Sequence, residues 1–174
     1  MPRVIILNGP AGVGKTTVGR LLAALAPNGA CVHGDDLKGF VVRRSGNAVR
    51  TGLGYINGAT VAANFVNANY DLVVFEFVFE HPAHIDRFLR AFQADASIHL
   101  FTLWASRETV IARERARPDR EQLGTRVVEC YDAIAGHLSA LGHRIETEDQ
   151  TPEGIAREIF ALSEADVGRI DRTM

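Results

Sequence analysis

The chain has 174 residues, of which 47% are hydrophobic and 23% charged, and its formal net charge is −2. The length predicts one domain, spanning residues 1–174, with a substantial core. The charge excludes an overall basic surface that would attract nucleic acid, and no apolar run approaches the roughly 18 residues of a membrane span. Two distant cysteines and the lack of a signal-peptide pattern predict a cytoplasmic protein without a disulfide framework.

Short apolar runs alternate with segments of helical spacing along the chain. Strands are predicted at residues 4–7, 30–33, 72–78, 98–103 and 144–147, and helices at residues 15–26, 57–69, 82–93, 106–117, 121–141 and 152–163. This alternation is typical of an α/β domain, whose parallel sheet carries helices on both faces. Ligands of such a domain bind at the carboxyl ends of the strands.

A glycine-rich motif follows the first strand and opens the first helix. Its pattern G-x-x-x-x-G-K-[ST] is that of a P-loop, whose backbone N–H groups and helix N-terminus bind phosphate oxygens. Lys15 is expected to reach the β- and γ-phosphates and to act in catalysis, and the Thr16 hydroxyl to ligate Mg²⁺. The residues expected to bind the nucleotide are Gly9, Pro10, Ala11, Gly12, Val13, Gly14, Lys15, Thr16 and Thr17.

Two adjacent carboxylates, Asp35 and Asp36, follow the second predicted strand. They would face the γ-phosphate from the acceptor side, where a hydroxyl must be oriented and must lose its proton. One of them then acts on the acceptor, with Asp35 as the catalytic residue, while Asp36 holds water on Mg²⁺ or caps the next helix. The alternative is that either residue is simply a helix N-cap.

Glu76 lies inside the apolar third strand, where a carboxylate requires a partner or a function. Beside a P-loop, that function is to hold Mg²⁺ through water or to bind an acceptor hydroxyl. The alternative is a buried acid paired with an arginine.

A cluster of arginines lies between the fourth strand and the following long helix. Arg113 and Arg117 are four residues apart and share a helix face. A mobile lid at about residues 114–126 would bring arginines onto the nucleotide, with Arg117 in catalysis and Arg120 at the acceptor. The alternative is a solvated helix with salt bridges. The cluster consists of Arg113, Arg115, Arg117, Arg120 and Arg126.

A polar, glycine-rich stretch at residues 43–54 separates the acidic pair from the next helix. We expect the region at about residues 37–65 to cover the acceptor, with Arg50, Tyr55 and Asn57 in contact with it. The alternative is an ordinary surface loop.

Together, the P-loop, the acidic run at residues 34–37 and the Arg-x-x-x-Arg spacing resemble the small P-loop kinases. This group includes chloramphenicol phosphotransferase, gluconate kinases, shikimate kinases and polynucleotide kinases. The resemblance implies a three-layer α/β/α P-loop fold, with a five-stranded parallel sheet of order 2-3-1-4-5, and ATP and Mg²⁺ as cofactors. It also implies Asp35 as the general base, Arg113 against adenine and Arg117 on phosphate. The chain lacks the D-x-D and Gly-Gly-Gly patterns of shikimate kinases, which argues against shikimate as the acceptor.

These features favour transfer of the γ-phosphate of Mg·ATP to a hydroxyl of a small polar molecule, such as a metabolite, a nucleoside or an antibiotic. One alternative is a polynucleotide 5′-hydroxyl kinase, which the net charge of −2 disfavours. The other is a nucleotide-binding regulator or ATPase, which would have no need of an acceptor base. The sequence leaves the acceptor and the oligomeric state open.

Overall fold

The computed structural model describes residues 1–42, 52–116 and 124–171. These residues form five strands and seven α-helices in the order β1 (Arg3–Asn8), α1 (Lys15–Ala23), β2 (Gly29–His33), α2 (Gly34–Gly39), α3 (Leu53–Asn67), β3 (Leu72–Glu76), α4 (Pro82–Ala91), β4 (Ser97–Trp104), α5 (Arg107–Arg115), α6 (Thr125–His137), β5 (His143–Glu146) and α7 (Pro152–Glu164). Across these ranges, no helix has both the length and the apolarity needed to cross a membrane.

The five strands form one parallel sheet in the order β2-β3-β1-β4-β5. One hydrophobic core lies between the sheet and helices α3 and α4. A second core lies on the opposite face, against α1 and α7. Helices on both faces bury the strands from both sides, as their nearly continuous apolar sequences require. The expected three-layer α/β/α fold and its strand order are therefore confirmed.

The central strands end at the same level. In the parallel register, Glu76 of β3 pairs with Leu7 of β1 on one side and with His33 of β2 on the other. The fully buried Asn8, at the end of β1, holds the segment after β3 in place. Its side-chain amide donates to the Phe79 carbonyl at 3.1 Å and accepts from the Phe79 N–H at 2.8 Å.

The structure differs from the predicted elements around Phe77. The third strand ends at Glu76 rather than at residue 78, a short helix α2 follows β2 directly, and α3 begins at Leu53 rather than at residue 57. The Phe77 ring packs against Gly34 and Gly54, where added Cβ atoms would lie 2.2 Å and 3.0 Å from ring carbons. The chain therefore leaves the sheet at Phe77, because this ring lies between the starts of α2 and α3.

Close packing against the sheet predicts opposite effects of two helical glycine substitutions. A Cβ at Gly58 of α3 would lie 2.2 Å from the buried Phe75 ring, whereas a Cβ at Gly136 of α6 would meet nothing within 4 Å. Gly58→Ala should therefore destabilise the fold by about 1–3 kcal/mol through overpacking. Gly136→Ala should stabilise it by about 0.5–1 kcal/mol through backbone entropy. Urea unfolding of both variants measures the difference, and equal effects would contradict the packing argument.

Candidate functional site

The P-loop connects the end of β1 to the start of α1 and packs closely against neighbouring backbone. Gly9 and Gly12 have φ angles of 142° and 86°, a region that side chains other than glycine rarely adopt. A Cβ at Gly9 would lie 2.6 Å from the Leu103 carbonyl oxygen, and one at Gly12 would lie 2.5 Å from that of Val110. Glycine is therefore required at both positions by conformation and by space.

Lys15 and Thr16 begin helix α1 and direct their side chains to different parts of the site. The Lys15 ammonium donates to the carbonyl oxygens of Gly9 and Pro10, at 2.8 and 3.0 Å. The Thr16 hydroxyl donates to Glu76 Oε1 at 3.1 Å. The first turn of α1 thus links the phosphate-binding backbone to the end of β3.

Glu76 is only 2% exposed, and its described partners are not arginines. Its Oε1 atom accepts from Thr16 and contacts Nδ1 of His33. Burial lowers the pKa of His33 and outweighs the opposing charges of Asp36 and Asp35, so the imidazole is neutral near pH 7. A carboxylate beside a threonine hydroxyl at a P-loop is an oxygen set that fits Mg²⁺.

The acidic pair lies in the first turn of α2, on its exposed side. His33 is the N-cap of this helix, so neither aspartate occupies that position. Asp35 Oδ1 accepts from the Lys38 ammonium at 2.8 Å. Burial alone would raise the pKa of Asp35, but the bond and charge of Lys38, with the charges of Lys15 and His33, hold it below its ordinary value. Asp35 is therefore ionised near pH 7.

Arg113 joins helix α5 to the segment after β5. Its guanidinium donates to Thr147 Oγ1 at 3.2 Å and to the Thr147 carbonyl at 3.0 Å. Glu148 binds the other end of the same helix, because its carboxylate accepts from Ser106 N at 3.1 Å and from the Ser106 and Thr109 hydroxyls at 2.5 Å. Both ends of α5 are thus tied to residues 147–148.

The described part of the expected acceptor-covering region is helical. Tyr55 and Asn57 lie in the first two turns of α3 rather than on a loop, and both are partly buried. The Tyr55 hydroxyl donates to the Val78 carbonyl at 3.0 Å, and its ring stacks on His84. Tyr55 therefore lies against the chain that leaves β3.

Three predicted site residues, Arg50, Arg117 and Arg120, lie outside the described residues, as does most of the predicted lid. Their roles remain predictions. Sequence pattern did not predict the roles of Asn8 and Glu148, which hold neighbouring segments at the site. A polar residue at the end of an apolar strand was the signal that could have identified Asn8, as it did for Glu76.

The profile of the AAA domain family matches residues 4–133, which run from β1 into α6 and include the P-loop. The chain belongs to this AAA domain family. None of the curated proteins matches this AAA domain by sequence.

Solved structures of small P-loop kinases share the fold of this AAA domain. A tunicamycin resistance protein from Deinococcus radiodurans has 19% identity and a TM-score of 0.67, covering 98% of this chain and 99% of that one. Shikimate kinase from Acinetobacter baumannii, in complex with shikimate, has 20% identity and a TM-score of 0.61, covering 95% and 94%. A gluconokinase from Sinorhizobium meliloti has 15% identity and a TM-score of 0.60, covering 94% and 93%. The expected resemblance to the small P-loop kinase group is thus confirmed at the level of the fold.

The cap at the start of α5 predicts a pH-dependent contribution to stability. Hydrogen bonds from Ser106, Thr109 and the Ser106 N–H lower the pKa of Glu148. A carboxyl group whose pKa is lowered by folding stabilises the folded state at pH values above its ordinary pKa, about 4.3 for glutamate. This stabilisation is lost as the pH falls through the lower pKa of the folded state. Glu148→Gln should therefore unfold at a lower urea midpoint than the native chain at neutral pH, and this gap should narrow as the pH falls below the ordinary glutamate pKa. The neighbouring exposed Asp149→Asn is the control, and a gap of constant size would contradict the assignment.

Proposed function

We propose that this AAA domain is a cytoplasmic kinase, which transfers the γ-phosphate of ATP to a hydroxyl of a small polar molecule. The proposal rests on one set of contacts at the P-loop. The Thr16 hydroxyl donates to Glu76, and the Glu76 carboxylate also contacts His33. These contacts join the carboxyl ends of β1, β2 and β3, and the P-loop and helix α2, which carries Asp35, begin at this edge of the sheet. The fold-level likeness to proteins named shikimate kinase and gluconokinase supports the same reaction class.

The P-loop would bind the phosphate groups through its backbone N–H groups and the N-terminus of α1. Lys15 would exchange its bonds to the Gly9 and Pro10 carbonyls for phosphate oxygens, so its charge is already held beside the loop. Thr16 and Glu76 would hold Mg²⁺, directly or through water, and the bound ion would neutralise charge on the phosphates. Asp36 is the other predicted metal residue, on the exposed side of α2.

Asp35 would orient the acceptor hydroxyl and take its proton. Its ionised carboxylate is oriented by Lys38, whose ammonium lies 2.8 Å from Oδ1. Such a reaction depends on positioning and electrostatic stabilisation more than on covalent chemistry by the protein.

Arg113 would provide a flat surface for the nucleotide base. Its N–H groups donate to Thr147, and these bonds would fix the guanidinium plane for stacking on the base. Arg117 would reach phosphate, and Arg120 and Arg50 the acceptor, as the sequence predicts.

Replacement of the proposed base tests the acceptor side. Asp35→Asn should reduce phosphoryl transfer by about 10²–10⁴-fold, since the amide cannot accept the proton. ATP affinity, measured by calorimetry, should be nearly unchanged. Because the pKa of Asp35 is lowered, kcat of the native enzyme should show no acid limb from this group until below about pH 4. Undiminished transfer by Asp35→Asn would remove this residue from the role.

Replacement of the buried acid tests the metal side. Glu76→Gln keeps an oxygen that can accept from Thr16 but removes the negative charge. The Mg²⁺ concentration that gives half of the maximal ATP affinity should rise by about tenfold or more, whereas metal-free ATP binding should be unaffected. Asp71→Asn, just before the opposite end of the same strand, is the control. An unchanged Mg²⁺ dependence in Glu76→Gln would contradict the assignment.

A further inference from the structure

An ion pair lies beyond the carboxyl end of β3, and the proposed mechanism does not use it. The Glu80 carboxylate contacts the Arg126 guanidinium, which also lies 3.5 Å from Glu129. The Glu80 side chain is 21% exposed, so it faces the protein more than the solvent. Glu80 follows Phe79, whose backbone is held by Asn8, and its position is therefore set by the end of β1.

This ion pair stands beside the P-loop. Arg126 lies in the first turn of α6, and Cys130, one turn later, is buried. The Cys130 thiol accepts a hydrogen bond from the Ala11 N–H, and the charges of Lys15 and Glu80 both act on it. The pair therefore borders the place where the phosphate-binding loop meets the acceptor side.

The adjoining wall is aromatic and neutral. Tyr55 and His84 stack with ring centroids 4.6 Å apart, and the charges of Glu80 and Arg126 both act on the Tyr55 hydroxyl. Burial raises the pKa of Tyr55 and lowers that of His84, so neither ring is charged near pH 7. An acceptor in contact with this wall meets surfaces without net charge.

The charged groups on the described walls are largely paired with each other. Asp35 is bonded to Lys38, as Glu80 is to Arg126. Arg87 of α4 faces the start of α3, where its side chain covers Gly52. Two carboxylates of the described acceptor side, those of Asp35 and Glu80, are thus each paired with a cation.

We infer that the site selects an uncharged, polyhydroxylated acceptor, and that the Glu80–Arg126 pair is a group that selects it. This inference rests on the proposed function and names its acceptor class. An arginine without an acidic partner binds a carboxylate through two parallel hydrogen bonds. Here Glu80 already occupies the guanidinium, and a carboxylate on the acceptor would meet a like charge. A hydroxyl both donates and accepts, so it can bond to Glu80 and to Arg126 at once.

Matched acceptors that differ in charge test the inference. Shikimate and its methyl ester form one pair, and gluconate and glucitol form another, with an aminocyclitol as a cationic member. Binding is measured by saturation-transfer NMR and calorimetry on the full chain with Mg²⁺ and a non-hydrolysable ATP analogue. We expect tighter binding of the neutral members, and Glu80→Gln should shift the ratio of acid to neutral affinity toward the acid by about tenfold. Arg126→Gln should weaken binding of the neutral members without this shift.

A second exposed ion pair, between α5 and α6, provides the control. Arg107 and Asp132 lie 3.0 Å apart, and Asp132→Asn removes a carboxylate beside an arginine, as Glu80→Gln does. This variant should leave the acceptor preference unchanged. A shift of equal size in Asp132→Asn would mean that net charge alone is responsible, and would overturn the inference.

The outcomes separate this inference from the proposed function. Neutral members that bind, but receive no phosphate from ATP, would support the inference and overturn the function. Carboxylates or the aminocyclitol bound most tightly by the native chain, and phosphorylated, would overturn the inference and support the function. A chain that binds no neutral member would overturn the inference.

Discussion

The site depends on the register of three parallel strands. Glu76 of β3 is level with Leu7 of β1 and with His33 of β2. Side chains alternate between the two faces of a sheet, so a shift of one residue would turn Glu76 away from α1 and away from Thr16. The pairing of β3 with β1 and β2 therefore decides whether the carboxylate at the end of β3 can reach the P-loop.

Polar side chains fix the positions of the chain segments that follow the strands. Asn8 binds both backbone groups of Phe79, which sets the path of the chain toward Glu80. On the other side of the P-loop, Arg113 and Glu148 tie the two ends of α5 to the segment after β5. The P-loop thus lies between two segments of the chain that are held by long-range hydrogen bonds.

Elements that depend on local sequence pattern were predicted correctly. Features that depend on packing between residues distant in sequence were not predicted. The P-loop and the alternation of strands and helices gave the fold class, and the resemblance to small P-loop kinases gave the strand order. The early end of β3 and the helix α2 depend on the Phe77 ring, whose packing partners Gly34 and Gly54 are remote in sequence. Such contacts leave no periodic signal.

In the candidate site, too, some features were predicted from local pattern and others depend on contacts between residues distant in sequence. Glu76 stood out as a carboxylate in an apolar strand, but its contact with His33 required the sheet register. Arg126 was grouped with the lid arginines because of its position in the chain. In the structure it pairs with Glu80, which lies on a different element. Residue type indicated candidate side chains, while the partners of these side chains depended on topology.

The central claim is that this cleft transfers phosphate to an organic hydroxyl rather than to water. The most direct measurement follows the label from γ-labelled ATP, with Mg²⁺ and a panel of neutral polyols, nucleosides and sugar acids. We expect label in an organic phosphate ester for at least one acceptor, with little label in inorganic phosphate. Label that appears in inorganic phosphate alone, at a rate no acceptor changes, would contradict the central claim and indicate an ATPase or a nucleotide-binding regulator.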